Sequence, residues 1–139
     1  MIQFRERLPR RETKKMGVEF CSRLLDELPD GLIVADLEGV VRIWNRRAEE
    51  LFKFSKDFAI GQRLDFIIPE NLRQAHWEGF NRAVSSDRVK LNGKAVRTKA
   101  ILGDGSTAYM DIAFSLTHDE DGHLVGVTAL ARSLSNNTQ

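Results

Sequence analysis

The spacing of hydrophobic residues predicts one amphipathic helix near the start of the chain. Between residues 17 and 28, apolar side chains return every three or four positions, which is the repeat of a single helix face. The segment Pro29, Asp30, Gly31 then ends the helix. The predicted stripe contains Val18, Phe20, Cys21, Leu24, Leu25 and Leu28. A cysteine in such a stripe is expected to be a buried, small apolar residue.

The middle of the chain predicts a hairpin followed by helices. Two short apolar segments, 31–35 and 40–44, flank a turn and indicate a pair of strands. Asn45 is placed to cap the next helix, because its side-chain oxygen can accept a free backbone N–H. Pro69 suits the first turn of a longer helix that we expect to reach about residue 85.

The last third of the chain alternates between apolar and polar positions, as strands do. Segments 96–102, 107–116 and 124–131 show this pattern, and turns rich in Gly and Asp separate them. Short turns join antiparallel neighbours, so the sheet is predicted to be antiparallel. The clearest alternation places on one face Ala108, Met110, Ile112, Phe114 and Leu116.

These elements predict an α+β fold. We expect a five-stranded antiparallel sheet, helices from residues 45–85 on one of its faces, and the N-terminal amphipathic helix beside it. The expected division is a flexible basic leader (1–16), a cap helix (17–28), the main domain (29–134) and a polar tail (135–139).

Composition narrows the function. A chain of 139 residues with 42% hydrophobic content is the size of one folded domain. Its net charge of +1 argues against a dedicated nucleic-acid partner, which requires a basic excess. The basic cluster in residues 5–15 is interpreted as part of a solvated leader.

Cysteine usage and hydropathy bear on location. The single cysteine, Cys21, excludes an internal disulfide, which fits a reducing cytoplasm. No apolar run approaches the roughly 18 to 20 residues of a membrane span, and the charged N-terminus has no apolar segment typical of a signal peptide.

Several short motifs, in this order and spacing, resemble the PAS family of sensory domains over about residues 25–134. They are Leu28-Pro29-Asp30-Gly31, the segment 43–52 (IWNRRAEELF), Asp104-Gly105-Ser106 and Ala131-Arg132-Ser133-Leu134. Ser133 stands where the family often has Asp.

The resemblance implies a sensory module rather than an enzyme. PAS domains bind small molecules, haem or flavin between sheet and helices, or bind nothing, and many pair through an N-terminal helix. It therefore implies a homodimer, with the interface at Val18, Phe20, Leu24 and Leu25, and a further signalling protein in transcription or kinase control. The alternative is a dimerisation module without a ligand. No phosphate-binding loop, HExxH or G-x-S-x-G motif favours catalysis.

Flavin photochemistry is disfavoured by the sequence. In the family's light-sensing members the reactive cysteine should fall near residues 61–68, and this segment (GQRLDFII) has none.

His76 is the candidate cofactor ligand. It shares a helical face with Leu72 and Phe80, so we expect it to point inward, where an imidazole needs a hydrogen bond, a water or a metal. The run Pro69-Glu70, Arg73, His76 resembles the segment that carries the haem-ligating histidine of the rhizobial oxygen-sensing kinases. The resemblance implies haem b as candidate cofactor, with His76 on the iron and an apolar wall of Leu72, Phe80, Ile112 and Phe114. The family's oxygen-contacting arginine is replaced by Val96, while Arg97 should face the other side of its strand. A hydrogen-bonded core histidine remains the alternative.

Overall fold

The computed structural model describes residues 10–89 and 93–134, and the side chains of 17–89 and 93–134. Helices, numbered in chain order, are α1 (Arg10–Glu27), α2 (Arg46–Phe52), α3 (Lys56–Ala59) and α4 (Arg73–Ser86), with 3-10 turns at Leu64–Ile67 and Glu70–Leu72. The strands are β1 (Gly31–Asp36), β2 (Val41–Trp44), β3 (Val96–Ile101), β4 (Thr107–His118) and β5 (Leu124–Ser133).

The five strands form one antiparallel sheet in the order β2-β1-β5-β4-β3, which confirms the predicted architecture. β5 lies in the centre and pairs with β1 on one side and β4 on the other. This arrangement brings the two ends of the domain together, because β1 follows the N-terminal helix and β5 ends at the C-terminal side. Residue range 135–139, the predicted tail, lies outside the described residues.

The hydrophobic core lies between the sheet and the helices. β1 and β5 contribute Ile33, Ala35, Ala129 and Ala131 to it, at 9% exposure or less. From the helical side, Phe52 and Phe80 reach the same cluster. Trp44 is 1% exposed and donates its indole N–H to the carbonyl oxygen of Phe54 at 2.9 Å, so it is a packing residue whose one polar atom is satisfied.

The N-terminal helix differs from its prediction in length. It begins at Arg10 rather than at residue 17, so the predicted leader overlaps it, and residues 1–9 lie outside the described part. The apolar pattern could not show this start, because residues 10–16 are mostly charged. Within residues 10–89 and 93–134, no helix combines the length and apolar character that crossing a bilayer requires.

Most of the described length of α1 stands away from the domain. Every side chain from Gly17 to Leu24 is exposed, and only the last turn of the helix, from Leu25, is partly buried. Cys21 is therefore exposed, which corrects the expectation that it is buried. The physical reason is that the side chains around it, from residue 18 to residue 24, are all exposed.

Candidate functional site

A cavity of about 480 Å³ lies between α4 and the sheet. This volume falls within the roughly 300 to 1,000 Å³ of sites that hold small organic ligands. Its lining is almost entirely apolar, and the exceptions are His76, Thr98 and Lys99. The apolar lining comes from β1, β3, β4, β5, the helical segment around residues 64–72, and α4.

Small residues on α4 leave this space open. Ala75, Gly79 and Ala83 are four positions apart, so they lie on one face of the helix, and all three line the cavity. A Cβ atom added at Gly79 would meet nothing closer than the guanidinium of Arg82, at 3.9 Å. The helix therefore approaches the sheet without filling the room between them.

His76 lies on the same helix and lines the cavity. Its ring meets Trp77 edge to face at 4.6 Å between centroids and Phe80 at 6.1 Å. Its Nδ1 atom is buried without a hydrogen-bond partner, and no other hydrogen bond to its ring is found in the described part of the chain. Within the described residues no protein group bonds to the ring, so the alternative of a histidine bonded to a protein partner is not what these residues show. Because Nδ1 itself is buried, the ring nitrogen that stays accessible to a ligand is Nε2.

The surroundings of His76 favour the neutral imidazole. Burial lowers its pKa below the ordinary 6.5, the nearby Asp65 carboxylate raises it, and the Arg63 guanidinium lowers it. Asp65 accepts the indole N–H of Trp77 at 2.7 Å, and Arg63 lies 4.2 Å from the centre of that indole ring. The balance leaves His76 uncharged near neutral pH, which is the form that binds metal ions.

Trp77 is fixed by packing on its other side. A Cβ atom at Gly39 would come within 2.3 Å of the indole ring, and Gly39 has a φ of 83°. Only glycine can therefore occupy this turn beneath Trp77. The indole of Trp77 packs beside the cavity, and Trp77 is not one of the residues that line it.

The predicted wall residues are brought together. Leu72 and Phe80 from the helical side, and Ile112 and Phe114 from β4, all line the cavity with His76. Their contact with a ligand stays a prediction.

The strand position singled out for its missing arginine is apolar in the structure as well. Val96 lines the cavity, whereas Arg97 is exposed and lies 3.8 Å from Asp111 on the neighbouring strand. Lys99 also alternates outward, and its amine lies 5.6 Å from the ring centre of Tyr109. The charged ends of Arg97 and Lys99 thus lie on the outer face of β3, although Lys99 also borders the cavity.

The run before His76 has a local structural role. Arg73 donates its Nε–H to the carbonyl oxygen of Ile68 at 2.9 Å, which ties the start of α4 to the turn before it. Glu70 is exposed. The spacing of this run thus sets where α4 begins, and hence which face carries His76.

Asn45 caps α2 as predicted and does more than the pattern showed. Its Oδ1 accepts the backbone N–H of Ala48 at 2.9 Å, and also that of Leu32 at 2.8 Å. Its Nδ2 donates to the carbonyl oxygens of Leu25 and Asp30. Sequence reasoning missed these bonds because the partners lie 13 to 20 positions away.

The predicted dimer residues differ in accessibility. Val18 is 72% exposed, and Phe20 and Leu24 are 46% and 45% exposed. Leu25 is partly buried at the root of the helix. Three of the four side chains are thus presented to solvent by the projecting segment of α1.

A group of possible metal ligands lies in the last hairpin turn. Donor atoms of Asp119, Asp121 and His123 lie within 4.8 Å of one another. The turn itself accounts for this, because Asp119 accepts the backbone N–H groups of Asp121 and His123, each at 2.9 Å. Within the described residues, nothing further points to a metal there.

Comparison with known proteins gives a consistent result. The family model of the PAS fold matches residues 19–133. The chain is 30% identical over 118 residues to the sensor protein FixL of Bradyrhizobium diazoefficiens, covering 84% of this chain and 23% of that protein. It is 26% identical over 85 residues to the oxygen sensor protein DosP of Escherichia coli, covering 61% of this chain and 11% of that protein. The chain thus spans less than a quarter of these relatives.

Solved structures show the same fold. The PAS domain of a Colwellia psychrerythraea protein superposes with a TM-score of 0.72 at 21% identity, covering 86% of this chain and 98% of that one. VqmA bound to DPO superposes with a TM-score of 0.66 at 18% identity, covering 86% of this chain and 58% of that one.

Proposed function

The chain belongs to the PAS fold family, and on that premise we propose that it is a sensory module whose cavity binds a small ligand against His76. The specific form of the proposal is b-type haem with His76 as the iron ligand. One observation carries it: the His76 ring lines a large apolar cavity, and within the described residues no protein group bonds to either ring nitrogen. A ligand bonded to the accessible nitrogen, Nε2, would give the ring the polar partner that the protein does not supply.

The residues fit the group. A neutral imidazole is the form that haem iron takes as an axial ligand, and burial favours it here. Leu72, Phe80, Ile112 and Phe114 offer apolar contact to a porphyrin. When bound, haem would supply an iron atom that takes up a small diatomic molecule.

The relatives support this form of the proposal. FixL is named a sensor protein and DosP an oxygen sensor protein, and both align with this chain. The run from Pro69 to His76 resembles the haem-ligating segment of the rhizobial oxygen-sensing kinases. VqmA bound to DPO shares the fold at low identity, and for that protein DPO is the bound molecule.

The test is reconstitution with haemin and an absorption spectrum. We expect a shifted Soret band in the wild-type protein that is lost in His76→Ala and kept in His123→Ala, whose ring lies in the exposed last hairpin turn. A wild-type spectrum identical to that of free haemin would reject haem. Native mass spectrometry of the purified protein then tests for an organic ligand in the same cavity.

A second function has its own observation. The exposed Val18, Phe20 and Leu24 of α1 favour a homodimer formed through this helix. Dimerisation without any ligand would account for them equally well. A cavity that stays empty in native mass measurements of a dimeric protein would favour this second function.

Output would pass to another part of a longer regulator or to a separate protein. The chain spans less than a quarter of its curated relatives, so the output part of such a regulator would lie outside it. We expect that part or partner to control a kinase or transcription. Because the net charge is only +1, we do not propose a nucleic-acid partner.

A further inference from the structure

Thr98 is the one hydroxyl-bearing side chain among the residues that line the cavity. It lies on β3, where strand alternation places it on the same face as Val96 and Ala100. Both neighbours line the cavity, and Ala100 is 3% exposed. The Thr98 side chain therefore belongs to the sheet wall of the cavity, and His76 to the helix wall.

The hydroxyl of Thr98 makes no hydrogen bond to a protein group in the described part of the chain. Some hydroxyls of the sheet region do find partners: those of Thr117 and Thr128 bond to each other, and Ser106 bonds to Asp104. Thr98 is partly buried at the cavity wall, and its hydroxyl is not sealed from solvent as Nδ1 of His76 is. It therefore offers the cavity a polar group that no protein group occupies.

These two side chains define what the cavity can accept. The remaining wall is apolar except for Lys99, whose amine lies over the ring of Tyr109. A charge deep in the cavity would lack an ionic partner, which is unfavourable in a medium of low polarity. The interior thus suits an apolar body with one polar contact at the helix wall and one at the sheet wall.

We propose that Thr98 is the second polar contact of the site and donates its hydroxyl hydrogen to a small molecule held between the sheet and His76. This inference rests on the haem form of the function proposed above. In that form the small molecule is the one bound to the iron, and carbon monoxide serves as the probe. Thr98 then takes the role of donor on a strand where Val96 and the outward Arg97 provide none.

The experiment compares the wild type with Thr98→Val, Thr98→Ser and Thr107→Val. Thr98→Val removes the hydroxyl and keeps the branched shape, whereas Thr98→Ser keeps the hydroxyl. Thr107 is exposed at the start of β4 and is absent from the cavity lining, so Thr107→Val is the matched control. Each protein is loaded with haemin, reduced and saturated with carbon monoxide, and the C–O stretching band is recorded by infrared spectroscopy.

A hydrogen bond to the oxygen of carbon monoxide weakens the C–O bond. We therefore expect the band of Thr98→Val at higher frequency than in the wild type, with Thr98→Ser and Thr107→Val close to the wild type. The Soret band should stay unchanged in all four proteins, since Thr98 does not ligate iron in this proposal.

Three outcomes overturn the proposal, and they are distinguishable. An unshifted C–O band in Thr98→Val, with haem bound, shows that the hydroxyl does not contact the ligand while the haem site stands. Loss of the Soret band in a folded Thr98→Val protein shows that Thr98 acts in haem retention instead. Absence of haem binding in all four proteins rejects the haem function and this inference together.

Discussion

The side-chain amide of Asn45 donates a hydrogen bond of 2.6 Å to the backbone carbonyl oxygen of Leu25, twenty positions earlier in the chain. Asn45 is 1% exposed, and it also binds Asp30, Leu32 and Ala48. One buried side chain thus joins the end of α1, the start of β1 and the start of α2. The root of the projecting helix is therefore fastened directly to the domain.

Asn45→Asp separates the two functions of this side chain. The carboxylate still accepts the N–H groups of Leu32 and Ala48, but it cannot donate to Leu25 and Asp30 and repels their carbonyl oxygens. We expect faster amide hydrogen exchange at the end of α1 while α2 stays protected. Asn45→Ala removes all four bonds and should lower the free energy of unfolding by about 3 kcal/mol.

Equal exchange at the end of α1 in wild type and Asn45→Asp would contradict this role. The control is Ser106→Ala, which removes a hydroxyl bonded to Asp104 in the turn between β3 and β4. It should cost about 1 kcal/mol without changing exchange in α1.

Stability should depend on pH through His76. Its pKa is lowered in the folded protein by burial, so below about pH 6.5 the unfolded chain binds more protons than the folded one. The wild type should therefore lose stability relative to His76→Gln as the pH falls through this range, measured by urea unfolding. Ser55→Ala removes a helix cap away from the cavity and no titratable group, so it should keep the wild-type pH dependence. A wild-type curve parallel to that of His76→Gln would contradict the assignment.

Filling the cavity should abolish ligand uptake without unfolding the protein. Gly79 lines the cavity and has room for a side chain, so Gly79→Leu is expected to occupy the space a ligand would need. Gly79→Ala should still bind haemin and gain up to about 1 kcal/mol of stability from its higher helix propensity. The measurement is a haemin titration followed by absorption, with circular dichroism to verify folding. Unchanged haemin affinity in Gly79→Leu would place the binding site elsewhere.

Association should depend on one side of α1. Replacing Val18 and Leu24 together by Gln keeps the helix and its charge but removes apolar contact, so the dimer should weaken by at least tenfold in its dissociation constant, equivalent to about 1.4 kcal/mol. Sedimentation at increasing concentration measures this. The matched control is Glu19→Gln, which changes the polar side of the same helix. A dimer that is insensitive to the double variant, or a wild type that stays monomeric at high concentration, would refute the helix interface.

Alternation along the strands made the sheet predictable. Ile112 and Phe114 were placed on the inner face because they recur at every second position, and both line the cavity. The inward position of His76 follows from its four-residue spacing with Leu72 and Phe80. In each case one periodic segment was enough, since the period fixes the face.

Such patterns cannot predict the cavity between α4 and the sheet or the long-range hydrogen bonds of Asn45. Periodicity tells which face of α4 is apolar, but not whether that face touches the sheet. The small residues Ala75, Gly79 and Ala83 are the available signal, and they are equally typical of close packing. The sequence predicts Thr98 only as an inward position on a strand. That its hydroxyl has no hydrogen-bond partner depends on which residues surround it in the folded protein.

Among the side chains of α1 that the structure describes, those of the last turn are the ones partly buried, so the helix can act as a lever on this attachment. The helix has 18 residues and so extends about 27 Å at 1.5 Å per residue. A tilt of about 10° at the Asn45 anchorage would displace the Arg10 end by about 5 Å. A change too small to alter the fold around the cavity would thus be enlarged at the far end of the helix to the width of a side chain.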